Sequence, residues 1–373
     1  MKNFNINSNL VISILAMLSI ISYLIVENTM SFVKQEHFDL KYKAAHRTKE
    51  ALATLKDYKL EKVLFVDNIN DPNETGLIGQ KYSHITTGSG SLPIKLSTTN
   101  PNFAALLIQL LTDADIKEGD NVAVCLTGSY PALDVATLIA IEELKANPIV
   151  IASTTSSSWG ANNPEFTILD MIRVLQEKKS LHFSYDYASI GGNQDVGMGL
   201  SNKGRDLIQE AIDRNHLKLL NKGDLILNIK ERMEIIEKAT NGNPVKLFIN
   251  IGGGIASTGS KDNKNKIAAG LHTNLKLKDI PDKYGVIYEM AKQNIPIIHL
   301  ANIEKLMRKY DLPINPMPLP VLGSGKLFYA YKYNLLIVSL ATLFLFIAIG
   351  IFVYIDKKNN QLGEAIISNE IQI

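Results

Sequence analysis

Two uncharged apolar runs, one near each end, constrain this chain more than any other feature. From Asn3 to Val26 no residue is charged, and Leu10 to Val26 reads LVISILAMLSIISYLIV. With its flanks this run can cross roughly 30 Å of hydrocarbon. A cleaved signal peptide is the alternative, but the run exceeds the usual apolar core of about 7 to 15 residues and no A-x-A-like site follows it. An uncleaved anchor is expected. From Tyr333 to Ile355 the sequence YNLLIVSLATLFLFIAIGIFVYI again lacks charge, with Tyr333 and Tyr354 placed as interfacial anchors. Two spans put both termini on one side of a membrane and the stretch from Glu27 to Lys332 on the other. Lys2, Lys357 and Lys358 on the tail side face Lys34, Lys41, Lys43, Lys326 and Lys332 on the other, so the basic count does not favour the tails. A short basic start ahead of a long apolar run nonetheless resembles a signal anchor, and an extracytoplasmic central domain is expected.

By pattern the chain divides into a membrane anchor at 1–30, a helical stalk at 31–60, an α/β domain at 61–312, a proline-rich connector at 313–332, a transmembrane helix at 333–355 and a polar tail at 356–373. The stalk is read from Ala44, Ala45, Ala51, Leu52 and Leu55 at near-helical spacing in a charge-rich stretch. Strands are expected at Lys62–Val66, Asn121–Leu126, Pro148–Ala152, Val245–Ile251 and Pro296–Leu300, separated by helical patterns. Such alternation indicates an α/β class with a mainly parallel sheet, flanked here by an N-terminal and a C-terminal transmembrane helix. The clearest unit is NVAVCLTGSYPALDVATLIAIEELKANPIVIAS from Asn121, a strand, a turn, an apolar-striped helix over about 132–145 and a second strand. A further helix is announced at Asn163-Pro164-Glu165 and runs to about Lys178. Pro313, Pro316, Pro318 and Pro320 make the connector stiff and extended.

In a parallel sheet the loops leaving the strand carboxyl ends converge on one edge, where ligands bind. Here those loops are rich in glycine and hydroxyls. They comprise Thr127-Gly128-Ser129-Tyr130, the stretch STTSSSWGANN from Ser153 with Ser158 and the only tryptophan, Trp159, and Gly252-Gly253-Gly254 running on to Ser257. Glycines let backbone N–H groups approach an anion or a polar carbonyl, so a polar or anionic ligand is expected. For each loop the plain alternative is a tight turn. Ser129, on a strand-to-helix turn, is the candidate nucleophile, with a plain helix cap as the favoured reading. Asp195, in a loop with five glycines, is either folded over a ligand or part of a flexible loop. Asp170, Glu165, His272 and His299 are further acid or base candidates, with structural roles favoured for the two histidines. Lys261 to Lys266 reads as a solvated surface loop and Cys125 as a small core residue.

Several chemistries find no support. Lys plus Arg number 39 and Asp plus Glu 37, a net charge of +2 that gives no footing for nucleic acid. A single cysteine precludes an internal disulfide. Gly323-Ser324-Gly325-Lys326 is followed by Leu327 and is no P-loop, Gly197-Met198-Gly199 lacks the third glycine of a dinucleotide fingerprint, and no G-x-S-x-G elbow occurs. No H-x-x-x-H, HExxH or paired-carboxylate spacing points to a metal. Neither a metal nor a cofactor is expected.

The segments GSYPALDVATLIAIEEL at Gly128–Leu144, SSWGANNPEFTILDM at Ser157–Met171 and INIGGGIASTG at Ile249–Gly259, framed by terminal spans, resemble the poly-gamma-glutamate system protein family. The resemblance covers nearly the whole chain. It implies an accessory protein of the bacterial cytoplasmic membrane, associated with poly-gamma-glutamate synthase subunits and assisting synthesis or export of a capsule-type polymer. It carries over no catalytic residue. The first expectation is therefore a protein whose α/β domain binds polymer, precursor or synthase through its polar edge. The alternatives are a membrane-tethered amide or acyl hydrolase or transferase using Ser129, and a structural scaffold.

Overall fold

The computed structural model describes residues 8–370. It falls into two compact units, one taking in both ends of the chain up to Lys34 and from Tyr329, the other Gln35–Phe328. In the first, helices Ser8–Asn28 and Leu335–Glu370 are long and apolar enough to cross a membrane. Mean hydropathy is 2.4 over Asn9–Asn28 and 2.9 over Leu335–Lys358, and these windows are only 6 % and 0 % buried. A soluble core helix of such composition would be covered by protein, so the exposure itself points to a lipid environment. Strands Ser31–Lys34 and Tyr329–Lys332 pair antiparallel within the same unit, with Phe32 stacked on Tyr329 at 4.8 Å between ring centroids.

The second unit is built on a seven-stranded sheet. Its strands are β1 (Asn121–Leu126), β2 (Asn147–Ser153), β3 (Tyr187–Ser189), β4 (Lys218–Leu220), β5 (Val245–Ile251), β6 (Gly270–His272) and β7 (Ile297–Leu300), in spatial order β6-β7-β5-β1-β2-β3-β4. All neighbours run parallel except β6, which pairs antiparallel with β7. Strand β1 is buried at every position, so its alternation serves two cores. Ala123 and Cys125 join Ile149, Ile151 and Phe248 in a cluster with helices Leu225–Ala239 and Val286–Lys292. Val122, Val124 and Leu126, each at most 1 % exposed, face the other way, towards the layer of helix Pro131–Glu143. The chain winds outward from β1 through β4 and returns to β5 on the opposite side of β1. That reversal makes the carboxyl ends of β1 and β5 a topological switch point, where open α/β sheets bind ligands.

Three sequence expectations are corrected here. The predicted stalk is a helix, Phe38–Glu61, but it packs against helices Phe103–Asp113 and Pro131–Glu143, with Ala44, Ala45, Ala51 and Leu55 at 0 % exposure. Its apolar stripe is a core face, which near-helical spacing alone does not distinguish from a free-standing stripe. Lys62–Val66 is no strand, because it is consumed in ending that helix. Leu64 N–H donates to Lys59 C=O and Val63 N–H to Leu60 C=O, the paired bonds of a Schellman stop, with Val63 left-handed at φ 56°. The proline-rich connector is laced onto the unit rather than spanning free. Asn315 N–H donates to Ser97 Oγ, Asn73 Nδ2 to Pro316 C=O and Asn102 Nδ2 to Val321 C=O.

Candidate functional site

At the switch point the loop after β1 and the loop after β5 touch. Thr127 Oγ1 donates to Ile251 C=O at 3.3 Å and accepts from Ser129 N–H at 3.4 Å. Gly252 is left-handed at φ 85°, and a Cβ there would lie 2.3 Å from Thr127 Oγ1 and 3.4 Å from Ser129 Cβ. A Cβ on Gly254 would come within 2.8 Å of Thr127 Cγ2. The Ser156–Ser157 bridge, paired with Thr86–Gly88, brings in the third loop, where Ser157 N–H donates to Ser129 Oγ at 3.3 Å. Gly160 approaches so closely that a Cβ would sit 2.7 Å from Gly128 C=O. Gly128 itself, at φ 60°, is packed beneath Ile168 and Ala161.

The centre of this cluster is a lysine. Lys95, on helix Leu92–Thr98, is 2 % exposed. Its Nζ donates to Ser157 Oγ at 2.7 Å and to the Ser129 carbonyl, and lies 4.7 Å from the centroid of the Tyr130 ring. Burial pushes its pKa down to about 7; nearby Asp134 opposes that fall and Lys264 adds to it. Asp134, 0 % exposed in the first turn of helix Pro131–Glu143, meets no partner at full hydrogen-bond geometry among the described residues, the Gly128 backbone being its nearest donor. Burial raises it well above the usual carboxylate range, against the pull of Lys95 and of the Gly128 backbone. The aliphatic end of Lys95 passes over Gly90, where a Cβ would meet Lys95 Cε at 2.8 Å and Ser158 C=O at 2.4 Å.

A second cation closes the edge. Lys264 lies over Gly253, its Nζ 3.0 Å from where a Cβ would stand, and it has no ion pair among the described residues. The stretch read as a solvated loop is in fact the short helix Lys261–Lys266, anchored by Asn263, whose side chain bonds Thr258 and Asp282 C=O. Ser129, Tyr130, Ser157, Gly253 and Gly254 are half-buried, so this edge is partly open to solvent.

Other sequence candidates have different roles. Asp195 is not presented to a ligand: it is 1 % exposed and bonded to the equally buried Arg232 at 2.7 Å. Ser257 is buried beside the Cys125 thiol, itself pushed up to about 11 by burial. Ser158 is 4 % exposed and bonds Gly88 C=O through its N–H and hydroxyl. Trp159, left-handed at φ 67°, holds the neighbouring segment through its backbone, N–H to Gln80 C=O and C=O from Gly79 N–H. Asp170 closes a capping box and takes Arg214. His299 is fully buried against Asn250 at 3.0 Å, and burial lowers it to about 4. Sequence reading missed Lys95, Asp134 and Lys264. Asp134 alone carried a signal, as the one charge within the apolar run from Pro131 to Ile141. A separate open cavity of about 600 Å³ is lined by Asn100, Asn102, Arg308, Asp311 and Lys326, with its cations paired to Glu304 and Asp311.

The glycines make opposite predictions. Gly252→Ala puts a side chain into left-handed backbone and against Thr127, and should cost about 1–3 kcal/mol of stability. Gly253→Ala has no positive φ and meets only the flexible end of Lys264, so it should change the urea midpoint little. Comparable losses at both positions would show that the edge is packed differently.

Comparison with protein-family models, with curated proteins and with solved structures finds no match to this chain.

Proposed function

We propose that this protein is an accessory membrane protein of bacterial poly-gamma-glutamate synthesis or export, held in the cytoplasmic membrane by two apolar helices with its α/β unit extracytoplasmic. Through the polar edge at the ends of β1 and β5 it binds the polymer, a precursor or a synthase subunit. The segments quoted above support the pathway, and the two exposed apolar helices support the anchoring. The observation that carries the binding reading is Lys264, a cation without an ion pair among the described residues, lying over Gly253 beside half-buried hydroxyls. A chain with a carboxylate on every residue fits such an edge. Lys264 would take a carboxylate, and the backbone around Gly253 and Gly254 would approach the amide links.

The test is direct titration of the full chain in lipid nanodiscs with a fluorescent γ-linked glutamate oligomer. Lys264→Glu should weaken binding by about tenfold or more, the equivalent of roughly 1.4 kcal/mol, and added salt should weaken binding to the unaltered protein. Equal affinity for both proteins would remove the edge from the binding reading.

A further inference from the structure

We propose that Ser157 and Lys95 form a nucleophile and base pair for acyl transfer, acting on amide or ester bonds next to a carboxylate. The geometry has three parts. Lys95 Nζ stands 2.7 Å from Ser157 Oγ, within proton-transfer reach. The amine is fixed by the Ser129 carbonyl and the Tyr130 ring, so it does not need to be ordered when substrate arrives. Ser157 is half-buried on the edge while Lys95 is 2 % exposed, which leaves the serine partly open to solvent and the base shielded from water. Serine and lysine form such a pair in unrelated hydrolases, where a buried lysine replaces histidine as the base.

The protonation state agrees with this role. Lowered to about 7, Lys95 is about half uncharged at neutral pH, and the charged groups acting on it are Asp134 and Lys264. Asp134, raised by burial, adds less negative charge to hold the proton on Lys95 than an ordinary carboxylate would. Ser129 differs from the sequence expectation. The lysine takes its carbonyl rather than its hydroxyl, and its Oγ accepts from the Ser157 amide.

In the step that follows, uncharged Lys95 takes the Ser157 hydroxyl proton as Oγ attacks the carbonyl carbon. The carbon–nitrogen or carbon–oxygen bond then breaks, and Lys95 returns that proton to the leaving amine or alcohol, leaving an acyl ester on Ser157. Water attacks this ester with Lys95 taking its proton, and the proton passes to Ser157 Oγ as the acid departs. One water is consumed per bond cleaved. An amine in place of water makes the same site a transferase.

The preference for an anionic acyl group rests on the binding reading above, whereas the dyad does not. The full chain in nanodiscs is treated with a fluorophosphonate probe, with p-nitrophenyl butyrate and with a γ-linked glutamate oligomer. The expected results are a phosphonate adduct on Ser157, ester turnover that falls at least about 100-fold in Ser157→Ala, and labelling that rises with pH through about 7. Lys95→Gln should abolish that inflection. If Lys95→Gln does not fold, the labelling profile of the unaltered chain carries the test. Ester turnover at Ser157 with the oligomer neither bound nor cut would keep the dyad and remove the polymer as its substrate. No adduct, or an adduct on Ser129 with turnover unchanged in Ser157→Ala, would overturn the dyad even if the oligomer binds.

Discussion

Asp195→Asn should destabilise the α/β unit by about 3–5 kcal/mol, because it leaves a buried guanidinium without its counter-charge. Arg232 and Asp195 are each 2 % exposed at the side chain, and their closest approach is 2.7 Å. Ser189 Oγ and Asn228 Nδ2 complete the carboxylate's partners at 3.1 Å each. The network ties the glycine-rich loop after β3 to helix Leu225–Ala239. Asparagine preserves the shape and tolerates the left-handed backbone at 195 (φ 59°), so the loss isolates the charge. Urea unfolding of the full chain in detergent, followed through the single tryptophan, measures it. Adding Arg232→Met should recover much of the loss, since an apolar pair avoids the desolvation that an unpaired charge cannot offset. An unchanged midpoint in Asp195→Asn would mean the pair is open to water and Asp195 is free for a ligand after all.

Lys95→Met should change the pH profile of stability by up to about 4 kcal/mol between about pH 7 and pH 10. The folded chain holds Lys95 at about 7 rather than its ordinary 10.5. Across that window the unfolded chain therefore binds more protons, and unfolding becomes costlier as pH rises. The stabilising contribution is complete above the ordinary value and is lost as pH falls through 7. Asp134 acts in the opposite sense: its raised pKa favours the fold at low pH, and that contribution is lost as pH rises through the folded value. Lys59, lowered to about 8 by burial, makes a contribution of the same sign in both proteins, so it cancels in the comparison. The unaltered chain should gain on Lys95→Met as pH rises from 7. Parallel profiles would show that Lys95 is hydrated and charged at neutral pH, which would also remove the base from Ser157.

The longer strands of the sheet were legible in the sequence because each is an apolar run bounded by turn residues. Asn121–Leu126 and Val245–Ile251 are short, mostly apolar runs carrying β-branched residues, and both are strands over those residues. The three-residue strands β3, β4 and β6 were not, since so few residues show no period. The stripe on Phe38–Glu61 was read correctly as helical, but one sequence cannot say what covers an apolar face. The same limit governs the site. Glycine and hydroxyl loops announced the edge because backbone approach needs those residue types. Lys95 sits in a polar-looking stretch, SGSLPIKLSTTN, and its burial depends on strands far away in sequence. Asp195 misled for the converse reason, because its partner Arg232 lies 37 residues away on a helix that closes over it.

The most direct test of the edge as the working site is hydrogen exchange of the full chain in nanodiscs, with and without the γ-linked glutamate oligomer. Slowed exchange is predicted at 127–130, 156–160, 252–258 and 261–266, the segments that meet around Lys95 and Lys264. Slowing confined to the cavity lined by Asn100, Arg308 and Lys326, or no slowing at any of these segments while the oligomer is bound, would contradict it.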